Sequence, residues 1–349
     1  MNVTASDGQS RKNDAKSNRR GKLEWRKNML RKHLPYKVIA VEEHFMHATL
    51  TDYFGSAIHQ PEKIKSRLYD FAGIRIEEMD AAGVDMQVLS HQSPGSQRLS
   101  DDASVVACRA VNDALAAVIS QAPDRFAGFA MIPTMKPEAA ADELQRSVEE
   151  LGLKGAMIHG LSRGEMVDGK AYWPIFARAE KLGVPIYLHP ADPDKSVTER
   201  YYAPYDQSHP MFTRAAWGFG VETGTHAIRL ILSGVFEAHP DLKILLGHFG
   251  EAIPFWMPRI HESLSRPGGA EVDFAGVFQR NFWVTTSGFF SDIALRCCLE
   301  ALNPDHILFA IDWPYADNSK GVDWLQSCEL DSGLKEAIFS KNAEALLGL

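Results

Sequence analysis

"VIAVEEHF", residues Val38 to Phe45, runs from four apolar residues straight into Glu42, Glu43 and His44. A short apolar run rich in valine and isoleucine reads as a strand buried on both faces. Polar residues that close such a strand lie at its C-terminal end. Seven comparable runs follow: "VDMQVLS" (84–90), "FAGFAMIP" (126–133), "KGAMIHG" (154–160), "PIYLHP" (185–190), "LKILLGH" (242–248), "FWVTTSG" (282–288) and "ILFAIDWP" (307–314). Amphipathic helical patterns separate several of them, among them "RIEEMDAAG", "SVVACRAVNDALAAVISQ", "KPEAAADELQRSVEELG" and "YWPIFARAEKLG"; "SGLKEAIFSKNAEALLGL" follows the last. Eight strands alternating with helices predict an α/β fold, a (β/α)8 TIM barrel.

Two connections are long, residues 45–67 and 191–216. Long loops after barrel strands sit over the C-terminal face, where barrel active sites lie. They are expected to form a lid over substrate.

The chain has 349 residues and a formal charge of −8, which argues against nucleic acid as a partner. Residues 1–37 hold eleven Lys/Arg and three Asp/Glu, a net +8, so the remainder carries −16. Residues 1–36 are polar and basic and read as a disordered, dispensable extension; 37–349 form the barrel. Cys108, Cys297, Cys298 and Cys328 show no metal-binding or redox spacing, so a reduced cytoplasmic setting is expected. No apolar run is long enough for a membrane span or a signal peptide.

Polar side chains collect at the strand ends. Glu42 and His44 close the first strand, His91 follows the second, His159 lies on the fourth, His189 on the fifth, His248 on the sixth and Asp312 on the eighth. In a barrel these positions meet at one mouth. Glu42 and His44 are two apart and share a side of the strand, with Glu43 facing the other way. Two carboxylates and two imidazoles, from Glu42, His44, His189 and Asp312, suit one divalent cation, zinc or manganese, with positions left for water or substrate.

The order E-x-H, H-P, G-H-x-G-E, T-T-S-G and D-W-P resembles the amidohydrolase superfamily, and more closely its metal-dependent decarboxylase branch. "VEEHF", "AGFAMIP", "VPIYLHP", "LLGHFGEAIPFWMPRI", "TTSGFF" and "ILFAIDWPY" resemble γ-resorcylate (2,6-dihydroxybenzoate) decarboxylases, and "GFGVETG" (218–224) resembles 5-carboxyvanillate decarboxylases. Most hydrolases of the superfamily open with H-x-H, whereas this chain has E-x-H. His159 stands where they carry a carbamylated lysine, which implies a single metal.

The resemblance carries metal ligation onto Glu42, His44, His189 and Asp312. His248 and Glu251 match a catalytic pair beside the metal, Arg259 an arginine near substrate, and Tyr315 an aromatic after the D-W-P motif. With His91 and His159, Arg259 and Tyr315 are the expected substrate-binding residues. Trp217, Phe249, Trp256 and Phe289 lie near strand ends and read equally as core or substrate wall.

The implied activity is non-oxidative decarboxylation of a hydroxylated aromatic acid such as a dihydroxybenzoate, in aromatic catabolism. A hydroxyl ortho to the carboxylate supplies electrons to the ring, with the metal as Lewis acid. Asp312 is the expected proton donor and His248, paired with Glu251, its relay. The alternative is a metal-dependent hydrolase or hydratase of a lactone or amide. Relatives suggest a homodimer or homotetramer.

Overall fold

The computed structural model describes residues 31–54 and 60–349. All eight apolar runs form strands: β1 (Ile39–Phe45), β2 (Met86–His91), β3 (Phe126–Gly128), β4 (Ala130–Met131), β5 (Ala156–His159), β6 (Ile186–His189), β7 (Ile244–Leu246), β8 (Phe282–Thr285) and β9 (Ile307–Leu308). There are nine elements because the third run is divided at Phe129. Its first half pairs with β2 and its second with β5. The switch is continuous, since Phe129 N–H donates to the Leu89 carbonyl at 2.9 Å and Ala130 N–H to the Gly155 carbonyl at 2.8 Å.

Every pairing is parallel, in the order β1-β2-β3 and β4-β5-β6-β7-β8-β9. The ring closes between the last strand and the first. Val41 N–H donates to Phe309 O (3.1 Å), Asp312 N–H to Glu42 O (3.0 Å) and His44 N–H to Trp313 O (2.7 Å). This is the predicted (β/α)8 architecture, and the metal-ligand motifs sit on either side of the closing seam.

Two cores follow from the alternation of side chains along each strand. Ile39, Val41, Met86, Val88, Phe129, Met157, Tyr187, Leu245, Leu308 and Ala310 fill the barrel interior. Val38, Ala40, Leu89, Ile158, Leu188, Ile244, Leu246, Val284, Phe309 and Ile311 face outward and pack under the helices. Helices Ile74–Ala82 and Trp173–Leu182 end at Gly83 and Gly183, whose positive φ values (83° and 70°) provide the left-handed C-cap that side-chain-bearing residues resist.

The alternation breaks once in β1. Its register against β2 runs Ala40↔Gln87 and then Glu43↔Leu89, so β1 carries one extra residue. This β-bulge turns both Val41 and Glu42 toward the interior and sends Glu43 outward.

Of the basic extension, residues 1–30 lie outside the described residues. Residues 31–36 lie on the barrel: Arg31 pairs with Asp85, Lys32 N–H donates to Asp80 O at 2.9 Å, and Tyr36 stacks on Phe339 with ring centroids 5.9 Å apart. Among the described residues no helix is long and apolar enough to cross a membrane. The four cysteines are unpaired.

Candidate metal centre

The bulge brings Glu42 onto the face that carries His44, and β6 and the end of the last strand supply His189 and Asp312. Ligand atoms of these four residues lie within 4.8 Å of one another. Glu42 Oε1 is 3.2 Å from His189 Nε2, and Asp312 Oδ1 is 3.1 Å from His44 Nε2. Glu42 Oε1 and His44 Nε2 are buried and have no hydrogen-bond partner.

The tautomers sharpen this. His189 Nδ1 lies 2.7 Å from the Pro190 carbonyl and 3.0 Å from His159 Nδ1, and His159 Nε2 lies 2.8 Å from the His91 carbonyl. Carbonyls only accept, so His189 is protonated at Nδ1 and His159 at Nε2. His189 Nε2 therefore points a lone pair at a carboxylate oxygen. Lone pairs converging in a buried site are costly unless a cation lies between them. The donor set fits one divalent metal. Tyr187 and Thr285 hydroxyls donate to the other oxygen, Glu42 Oε2, the latter at 3.2 Å, and orient the carboxylate. Burial alone would raise the Glu42 carboxyl, but the positive charge of His248 acts against it, and the group is held well below its ordinary range.

His248 and Glu251 sit on an unusual segment. His248, Phe249, Gly250, Glu251 and Ala252 all have positive φ (51°, 56°, 76°, 52° and 65°), a continuous left-handed turn. Each of the four non-glycine residues costs roughly 1–2 kcal/mol there, so the surroundings must hold the turn. His248 N–H donates to Ser287 Oγ at 3.0 Å, Gly250 N–H to Gly247 O at 2.7 Å, and His248 Nδ1 meets Glu251 Oε1 at 2.8 Å. Helix Gly218–Leu232 packs against it through two glycines. A Cβ at Gly220 would lie 3.1 Å from Glu251 Oε2, and one at Gly224 3.0 Å from Glu251 O. "GFGVETG" is thus the close-approach face for the left-handed turn.

His248 Nε2 is left facing the centre, 3.9 Å from Glu42 Oε1 and 4.0 Å from Asp312 Oδ2. Burial disfavours its charge, but Glu251 and Glu42 raise its pKa well above the ordinary value, so the imidazole holds a proton. Burial pushes Asp312 up, and the facing imidazoles of His248 and His44 hold it below its ordinary range.

A cavity of about 1210 Å³ opens above the centre, lined by His44, His189, His248, Glu251 and Asp312 at its floor. Trp217, Trp256, Phe289 and Tyr315 contribute walls, while Phe249 is core. Both long connections reach it, through Gln60, Pro61 and Ile64 and through Met211, Arg214, Ala215 and Ala216.

Three residues expected at the substrate lie elsewhere. His91 has the wrong parity: Met86 and Val88 face the interior, so His91 faces out, its Nδ1 on the Gln92 carbonyl at 2.9 Å and its Nε2 accepting His47 N–H at 3.2 Å. His159 faces in but stands behind His189, whose tautomer it fixes. Arg259 is exposed on helix Ile253–Leu264 and does not line the cavity formed by this chain. The arginines that do are Arg98 and Arg214, joined through Asp192 at 3.2 and 2.9 Å. Sequence reasoning missed these two, and also Gln92, whose amide oxygen accepts the Tyr315 hydroxyl while Gln60 donates to that hydroxyl at 3.2 Å. "SPGSQR" and "MFTRAAW" carry no motif that marks an arginine for the cavity.

The amidohydrolase family model matches residues 40–349. The chain belongs to the amidohydrolase family. Within it, the chain lies in the metal-dependent decarboxylase branch. It is 36% identical over 327 residues to γ-resorcylate decarboxylase of Polaromonas sp. (strain JS666), covering 89% of this chain and 98% of that one. A crystal structure of dihydroxybenzoic acid decarboxylase from Polaromonas sp. JS666, with manganese and the inhibitor 2-nitroresorcinol, aligns with a TM-score of 0.83 at 35% identity, covering 90% and 97% of the two chains. The 5-carboxyvanillate decarboxylase of Sphingomonas paucimobilis aligns with a TM-score of 0.83 at 31% identity, covering 90% and 99%.

Proposed function

We propose that this chain removes carbon dioxide, without oxidation, from a benzoate that carries a hydroxyl ortho to its carboxylate, with manganese as the metal. The observation that supports this best is the convergence of unpartnered Glu42 Oε1 and His44 Nε2 with His189 and Asp312, beside a protonated His248 and beneath an open cavity. When bound, the divalent ion supplies Lewis-acid polarisation of the substrate oxygens.

The chain's own groups then supply orientation and a proton. Arg98 and Arg214 share one carboxylate, Asp192, and leave the rim with an excess positive charge that draws in an aryl carboxylate. Trp217, Trp256, Phe289 and Tyr315 enclose the ring. The substrate's ortho oxygen feeds electron density to the carbon bearing the carboxylate, and Asp312, ionised at rest, takes the proton of His248 and passes it to that carbon. The ring–carboxyl bond then breaks, its electron pair restores the aromatic ring, and carbon dioxide leaves. Asp312 is left ionised again, His248 regains its proton from solvent, and Glu251 stabilises the imidazolium between turnovers.

The test is carbon dioxide release from a panel of hydroxybenzoates, with metal-stripped and manganese-loaded protein, in heavy water. The expected result is manganese-dependent release from ortho-hydroxylated acids only, with one deuterium at the vacated ring position. Asp312→Asn and His189→Ala should lose turnover and metal together. Water-derived oxygen in a product, with no carbon dioxide, would favour hydrolysis of a lactone or amide instead. A cytoplasmic homodimer or homotetramer belongs to the same reading, and light scattering on purified protein checks the assembly.

A further inference from the structure

Glu43 is the member of the "VEEH" motif that this chemistry leaves unused. It is completely buried on the outer side of β1. Its Oε1 accepts the Ile311 N–H at 3.0 Å and its Oε2 the Trp313 N–H at 2.9 Å. These are the N–H groups of the residues on either side of Asp312. Asp312 itself has φ +73°, in the left-handed region that only a few per cent of non-glycine residues occupy.

Neither N–H has a strand partner. The ladder with β8 covers only Ile307–Leu308, and the bonds to β1 use the Phe309 and Trp313 carbonyls and the Asp312 N–H, so these two N–H groups are left over as the chain turns Asp312 inward. Glu43 supplies the acceptors that a neighbouring strand would otherwise provide. A third donor, Gln87 Nε2, approaches Oε2 at 3.5 Å.

The arrangement continues to a buried cation. Arg75 is fully buried; its Nη1 donates to Gln87 Oε1 at 3.0 Å, its Nη2 to the His44 carbonyl at 2.7 Å and its Nε to the Asp70 carbonyl at 2.8 Å. Its guanidinium carbon lies 4.0 Å from the centroid of the Trp313 ring. One connected set therefore grips the backbone of both seam ligands from behind: Arg75 holds His44, and Glu43 holds the peptides around Asp312.

We propose that Glu43, backed by Gln87 and Arg75, is a positioning residue that holds Asp312 in its left-handed conformation opposite His44 and so sets how tightly the divalent metal is retained. This rests on the metal-centre reading above. A fully buried carboxyl group with three N–H donors around it is a costly way to close a barrel seam that the other strands close by pairing alone. The geometry accounts for the cost, because pairing with β1 uses the Asp312 N–H and the Trp313 carbonyl and leaves the Ile311 and Trp313 N–H groups to Glu43.

The test uses purified full-length Glu43→Gln and Gln87→Leu, with near-ultraviolet circular dichroism to establish folding. Glutamine retains the shape of Glu43 but turns an amide N–H toward a backbone N–H. Gln87→Leu removes the link to Arg75 without touching the peptides beside Asp312. Manganese affinity is read from the electron paramagnetic resonance signal of free Mn2+, and kcat and KM follow at saturating metal. Loss of such ligand-orienting contacts weakens affinity by about 10- to 100-fold, so Glu43→Gln should fall in that range and Gln87→Leu several-fold. kcat should fall and KM stay nearly constant. Native-like affinity and kcat, within about threefold, in whichever variant folds overturns the proposal, because a purely structural role lowers stability without moving either. Failure of the underlying reading is separate: native protein would then bind Mn2+ no better than His44→Ala.

Discussion

Gly288→Ala should cripple turnover and leave the metal in place. Gly288 has φ +80°, and a Cβ built there lies 2.6 Å from His248 Cδ2 and 3.1 Å from His248 Nε2. Carbon atoms rest at about 3.5–4.0 Å, so the imidazole must retreat by about 1 Å. It cannot move freely, because Glu251 holds Nδ1 at 2.8 Å and Ser287 holds the backbone N–H at 3.0 Å. The movement carries Nε2 away from Asp312 Oδ2, which already lies 4.0 Å off. A misplacement of that size costs on the order of 100-fold in rate, or about 2.7 kcal/mol of barrier. Asp312 Oδ2 meets the new methyl at 3.6 Å, an ordinary contact, so the ligand set is untouched. Left-handed alanine adds roughly 1–2 kcal/mol of instability. Steady-state kinetics, metal content by mass spectrometry and thermal melting check the three effects together. The expected outcome is kcat down about 100-fold, one metal per chain and a melting point lower by a few degrees. A folded variant with kcat within about threefold of native would refute the placement of His248.

Arg98→Met and Arg214→Met should each raise KM several-fold with little change in kcat, and high salt should shrink the difference, since surface charge attraction is screened; a salt-independent kcat defect would contradict a steering role. Burial holds His91 and His226 neutral, each pushed down to about 4. The unfolded chain takes up their protons near pH 6.5, so the stability they contribute is complete above that pH and lost as pH falls toward 4. The loss approaches about 1.4 kcal/mol per pH unit for each histidine below pH 6, or roughly 3 kcal/mol for the pair between pH 6.5 and 5. Urea midpoints at the two pH values should show it, and His226→Gln should flatten the slope; an unchanged slope would contradict the assignment. Deleting residues 1–30 should leave rate and melting point unchanged, whereas deleting 1–36 should lower the melting point, because that cut also removes Tyr36 from Phe339 and Lys32 N–H from Asp80 O.

The eight strands and the helices between them were legible in the sequence, because a parallel barrel buries both faces of every strand and so writes each one as an apolar run. The four residues that could hold a metal were legible too, since polar residues at the end of such runs stand out. What the runs do not encode is parity. In a strand buried on both sides, inward and outward residues are equally apolar, so nothing in "VDMQVLSH" says that His91 faces out. The inference from spacing that Glu42 and His44 share a face was correct, yet by simple alternation it would put Ala40 inside as well. Ala40 packs outward and Val41 inward, and the bulge reconciles the two. A bulge is set by pairing with β2, a partner 40 or more residues away, so only the folded sheet decides it. The same holds for the second layer. His159 orients His189, Glu43 holds the peptides around Asp312, and Gly288 makes room for His248, each across a gap in sequence that local pattern cannot bridge. The left-handed turn at His248–Ala252 contains a single glycine, Gly250, so its backbone conformation is imposed by Ser287 and by the glycine face of helix Gly218–Leu232 rather than by its own residues.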